Sequence, residues 1–195
     1  MNFLAHLALS GEKEEVILGN YMGDAVKGRL IPRYHGDLLA GLKLHRFIDE
    51  FTDRHPINVG ARSILREATG KYAGVALDLT YDYLLASNFD NWHTEGLYKF
   101  EDRMYSILDK YKHEMPARTQ SLYAAMSAGK WLSGYGVAEG FESACRGLGS
   151  RIPYKNGLSF VPDVVRKELL PLQSCFNEFY PELQNECDVK LKLWV

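Results

Sequence analysis

The chain has 195 residues, 46% hydrophobic and 25% charged, with a formal net charge of −2. That length suffices for one domain burying roughly 70% of its unfolded surface, and the near-neutral balance argues against a dedicated nucleic-acid binder. Cys145, Cys175 and Cys187 show no CxxC spacing and read as reduced thiols, which excludes a disulfide framework or a thiolate zinc site.

Apolar periodicity predicts helices throughout and no alternating strand, so the expected fold is all-α, one domain over residues 1–195. The opening "MNFLAHLALSGEKEE" has one short apolar stretch and no basic start. It is read as a helix over 2–9, neither a secretory signal nor a membrane span, and the protein is expected in the cytoplasm. A glycine-bearing helix is expected over 13–28, with Gly19 and Gly23 leaving room for another backbone or a ligand. Asn20, Asp24 and Lys27 share one of its faces, combining a carboxylate and an ammonium beside a surface of small residues.

A helix over 37–53 ends before Pro56. With His45 set at 0° and 100° per residue, Leu38, Asp49 and Leu42 fall at about 20°, 40° and 60°. His45 and Asp49 therefore lie within the apolar arc, four residues apart on one face. Helices follow over 57–69 and 73–88, the second apolar nearly all round and carrying Asp78 and Asp82. Two aspartates there repel unless a cation neutralises them; an ion pair with Arg62 or Arg66 is the bland alternative, as a buried His–Asp core pair is for His45 and Asp49. Asp53, near a helix end, reads as a capping residue. Further helices are expected over 94–114, 117–128, 137–148 and 163–180.

Carboxylates and imidazoles are costly to bury unless paired or bound to metal. His6, Asp24, His45, Asp49, Asp78 and Asp82 are accordingly the candidate ligands of a divalent ion. The oxygen-rich set with imidazoles suits manganese, magnesium or iron, and such a site supports hydrolysis of phosphate esters. From Ala25 to Arg46 five cations (Lys27, Arg29, Arg33, Lys43, Arg46) face one anion, Asp37. This excess is either a solvated face or a means of steering a phosphate or an acidic protein.

"MNFLAHL", "GNYMGDAVKG", "LHRFIDEFTDRHP" and "LDLTYDYLLA", in this order over about the first 90 residues, resemble the acyl carrier protein phosphodiesterase family. The resemblance implies an all-helical relative of HD-domain phosphohydrolases and manganese-dependent removal of 4′-phosphopantetheine from holo-acyl carrier protein. It implies metal ligation by Asp24, His45 and the Asp82 region, with His6, Asp49 and Asp78 as further candidates. Asp24, Lys27 and Arg46 are the expected catalytic groups, the two cations binding phosphate oxygens. The acidic carrier protein is the expected partner, with no nucleic acid and no membrane. Two positions depart from the family pattern: Tyr83 and Ala8 stand where histidines are expected, for which His55 or His93 could substitute. A small phosphodiester or nucleotide as substrate, or carrier-protein binding without catalysis, are the alternative readings.

Overall fold

The computed structural model describes residues 1–195, including all side chains but those of residues 30 and 31. Its helices are α1 (Phe3–Ala8), α2 (Glu14–Met22), α3 (Gly36–Arg54), α4 (Pro56–Thr69), α5 (Ala73–Ser87) and α6 (Leu97–Lys110). They continue with α7 (Ala117–Ala128), the short α8 (Trp131–Gly134), α9 (Ala138–Arg151), α10 (Val161–Lys167) and α11 (Leu169–Trp194). Short 3-10 turns fill several connections, and no strand occurs among the described residues. The fold is all-α, as the periodicity predicts. No helix is long and apolar enough to cross a membrane.

The central element is α5, which touches α1, α4, α9, α10 and α11. Leu77, Leu79, Thr80, Tyr81, Leu84 and Leu85 are buried around it, which accounts for the absence of a polar face in its sequence. Tyr81 donates its hydroxyl hydrogen to Asn58 Oδ1 of α4 at 2.7 Å, so this buried ring keeps a polar partner.

Helices α2 and α3 meet at two glycines. A methyl group at Gly19 would lie 2.3 Å from the Leu38 carbonyl oxygen, and one at Gly41 would lie 2.2 Å from that of Val16. Only hydrogen fits at this crossing. The close approach holds the C-terminal turn of α2 against the middle of α3, where His45 lies.

Several boundaries differ from the sequence expectation. The helix expected over 13–28 ends at Met22, and the chain turns sharply there. Arg46 Nη2 donates to the Val26 carbonyl oxygen at 2.8 Å and ties the turn down. The expected final helix is two: α10 ends at Lys167, and α11 runs on to Trp194 through Pro181. Phe176, Phe179, Tyr180, Leu183 and Cys187 are all buried on its inner face, and that burial outweighs the proline's lost hydrogen bond. Replacement Gly41→Val should lower unfolding free energy by about 3 kcal/mol in urea titrations; Gly60→Ala, where a methyl group meets nothing within 4 Å, should not destabilise.

Candidate metal centre

His6 of α1 and His45 of α3 are both nearly fully buried, and their rings stack with centroids 4.2 Å apart. Asn20 of α2, wholly buried, orients both. Its Nδ2 donates to the His6 carbonyl oxygen at 2.7 Å and to Ser10 Oγ at 2.9 Å, so its Oδ1 is the end that faces His6 Nδ1, at 2.9 Å. Its backbone oxygen receives His45 Nδ1 at 2.8 Å. Both acceptors require a proton on Nδ1, which turns the two Nε2 atoms toward a common space.

Asp49 occupies that space. One of its carboxylate oxygens lies 3.1 Å from His6 Nε2 and the other 3.3 Å from His45 Nε2. Asp24, just beyond α2 and mostly exposed, approaches His45 Nε2 at 3.4 Å. Burial opposes a charge on His45, but hydrogen bonds to Asp24 and Asp49 overcome it and push its pKa up to about 9. Burial, by contrast, lowers the pKa of His6. Burial works to raise Asp49, yet the bond from His45 and the nearby Met1 nitrogen hold its carboxyl well below the usual range. Asp24 is lowered by its hydrogen bond from His45.

One ligand atom each from His6, His45 and Asp49 lies within 4.8 Å of the others. The donor set fits a divalent ion: two imidazoles with Nδ1 already committed, one carboxylate, and an exposed carboxylate beside them.

Asp78 and Asp82 face other partners. Asp82 of α5 is completely buried and accepts the backbone N–H groups of Asn2, Leu4 and Ala5 at 3.2, 2.8 and 3.3 Å. It caps α1 from a different helix, satisfying donors that a helix start leaves open. Burial lifts its pKa to about 7, against the pull of the Met1 nitrogen and these N–H groups. Asp78 Oδ1 lies 2.9 Å from the Met1 nitrogen, which also stands 3.8 Å from Asp49. Neither pairs with Arg62, whose Nη1 donates to the Thr52 carbonyl oxygen.

The cluster opens into a cleft of about 700 Å³, lined among others by Phe3, Tyr21, Asp24, Lys27, Asp78, Arg118 and Arg151. Lys27 thus reaches the site, while Arg46 is engaged at Val26. Arg118 of α7 and Arg151 of α9 come from the C-terminal half, and no motif in the sequence singles them out. The buried Tyr21 hydroxyl has no hydrogen-bond partner among the described residues, and burial raises its pKa, keeping it a neutral donor. Tyr83 stacks on Phe141 at 4.6 Å and does not line the cleft. His93 stacks on Phe89, and His55 pairs with Glu182 at 3.2 Å; neither substitutes near the cluster.

The family profile described as acyl carrier protein phosphodiesterase matches residues 1–183. The chain belongs to the acyl carrier protein phosphodiesterase family. Proteins carrying that name in Photorhabdus laumondii and Yersinia pestis are each 29% identical over 97% of this chain, covering 96% and 99% of their own lengths. One from Escherichia coli is 28% identical over 97% of this chain and 99% of its own length. No solved structure matches the chain. The His6, Asp24, His45 and Asp49 arrangement therefore lies in the part of the chain that the family profile covers.

At pH 7 the metal-free site holds a second proton on His45, at Nε2, because its folded pKa of about 9 lies above that pH. A cation must displace that proton. Mn²⁺ affinity measured by calorimetry should rise about tenfold per unit between pH 7 and 8.5, with about one proton released per ion at pH 7.

Proposed function

We propose that this protein hydrolyses the phosphodiester joining 4′-phosphopantetheine to the serine of a holo-acyl carrier protein, leaving the apo protein. The observation that carries this reading is that one cleft holds both a candidate metal cluster and free cations. His6, His45 and Asp49 line it, and Lys27, Arg118 and Arg151 supply positive charge within the same space. A phosphodiester is the substrate such a cleft suits, since its anionic oxygens meet cations while its phosphorus meets the cluster.

His6, His45 and Asp49 would hold the ion, manganese foremost with magnesium or iron as alternatives, and Asp24 would complete the set. When bound, the ion supplies a lowered pKa for water and neutralises charge developing on phosphoryl oxygens. Asp24 Oδ1, exposed and close to His45, is the group suited to take the proton from the attacking water. The new bond forms between water oxygen and phosphorus, the phosphorus–serine oxygen bond breaks, and the serine oxygen takes up a proton. Lys27, Arg118 and Arg151 bind the non-bridging oxygens. In this reading Asp82, from behind the site, and Asp78, at the cleft wall, fix the segment that carries His6. Arg46 fixes the turn that carries Asp24.

The exposed Lys27, Arg29 and Arg33 give the acidic carrier protein a cationic segment that begins at the cleft residue Lys27, which favours its approach. Tyr83, lying outside the cleft, leaves the reaction untouched. The whole chain would work as one HD-like domain in the cytoplasm.

The test is the intact mass of holo-acyl carrier protein after incubation with the protein and Mn²⁺. Loss of the phosphopantetheine mass is expected, with a rate about 10³-fold lower or less in Asp49→Ala. An unchanged mass with metal-loaded protein would refute the reading and favour another phosphodiester or a binding role. Arg118→Ala and Arg151→Ala should each lower kcat/KM by about 10- to 100-fold while leaving Mn²⁺ affinity unchanged.

A further inference from the structure

A second cavity of about 370 Å³ adjoins the cleft at Arg151. Asn2, Phe3, Leu79, Leu148 and Arg151 line both spaces, so only side chains stand between the two. The far part lies between Trp131 and Tyr135 on one side and the Gly140, Ala144 and Gly147 face of α9 on the other. These three small residues recur at i, i+4 and i+7, the spacing of a single helix face. Arg151 continues that face at the junction, with its guanidinium 5.6 Å from the centre of the Trp131 ring.

We infer that this second cavity is the subsite for the pantetheine arm of the substrate, with Arg151 holding the phosphate at its mouth. The inference rests on the carrier-protein reading above. A phosphodiester bound at Arg151 has two ester arms, and one of them must enter the cavity or leave it empty. The carrier-protein arm belongs to a folded domain, which a space of this size excludes; the prosthetic chain is narrow, uncharged and flexible. Its methyl groups suit the faces of Trp131, Leu79 and Leu148. Its amides suit the polar atoms there. Tyr135 Oη accepts a hydrogen bond from Asn2 Nδ2 at 3.1 Å, and among the described residues its own proton has no acceptor. The hydroxyl of Ser143 stands at the same wall.

The cavity also fixes the direction of the substrate: with the arm inside, the serine ester faces the open cleft. A longer side chain at Gly147 tests this directly, because the first atom it adds meets only Arg151 Nη2, at 4.0 Å. Replacing a glycine inside α9 also favours the helix, so the fold should survive and a thermal melt will verify it.

The experiment compares wild type, Gly147→Ala and Gly147→Leu, each loaded with Mn²⁺, on holo-acyl carrier protein and on bis(4-nitrophenyl) phosphate. Free pantetheine is titrated into each protein by calorimetry in parallel. The ratio of kcat/KM for the carrier protein over the small diester should fall at least tenfold in Gly147→Leu, mainly through KM, and less in Gly147→Ala. Pantetheine should bind the wild type, compete with holo-acyl carrier protein, and bind Gly147→Leu at least tenfold more weakly. An unchanged ratio in Gly147→Leu, or cleavage of the carrier protein with no pantetheine binding to wild type, overturns the subsite while leaving the reaction intact. Pantetheine binding that Gly147→Leu abolishes, in a protein that leaves the carrier protein uncut, upholds the subsite and refutes the reaction.

Discussion

The site depends on one buried amide residue, Asn20. Its side-chain oxygen and its backbone oxygen each face the Nδ1 of a different histidine, and its side-chain nitrogen has two acceptors that forbid the flipped orientation. Three helices are thereby bound to a single residue. Were Asn20 absent, the rings of His6 and His45 would lose the bonds that select their tautomers, and the two Nε2 atoms would have no reason to point at one place. The carboxylate of Asp49 gains its two partners only because this orientation is already set.

Asn20 can occupy that position because its neighbour is glycine. The Gly19–Gly41 contact lets α2 approach α3 at backbone distance, which puts the Asn20 carbonyl within reach of a ring on the facing helix. Asp82 completes the arrangement from the third direction by gripping the start of α1. A carboxylate with no accessible surface, held by three N–H groups and no arginine, is costly in itself. Its position on the central helix α5 gives that cost a purpose, since the grip decides where His6 stands.

Apolar periodicity along the chain made the all-α class legible in the sequence, and the histidine and aspartate spacing in α3 made the clustering of His45 with Asp49 legible. An imidazole and a carboxylate four residues apart on an apolar helical arc must meet each other, whatever else they bind. The partners of Asp78 and Asp82 were not legible, because main-chain N–H groups and the Met1 nitrogen carry no sequence signature. Repulsion between the two carboxylates is relieved by donors that any residue could supply. Asn20 was visible only as a member of a helix face; its role depends on both faces of its own peptide group. Arg118 and Arg151 escaped notice because they lie in ordinary helices and reach the cleft through tertiary packing. The same packing carries α11 through Pro181, overriding a local stop signal that the sequence presents plainly.

The capping of α1 by Asp82 also bears on the order in which the molecule assembles. The Leu4 N–H and its acceptor are 78 residues apart in the chain, whereas a six-residue helix has almost no stability alone. During synthesis α1 therefore lacks its anchor until α5 has left the ribosome, and His6 takes its place only after that long loop closes. The residues of α1 become ordered only once α5 is in place, and the centre they complete is built as these two distant segments meet.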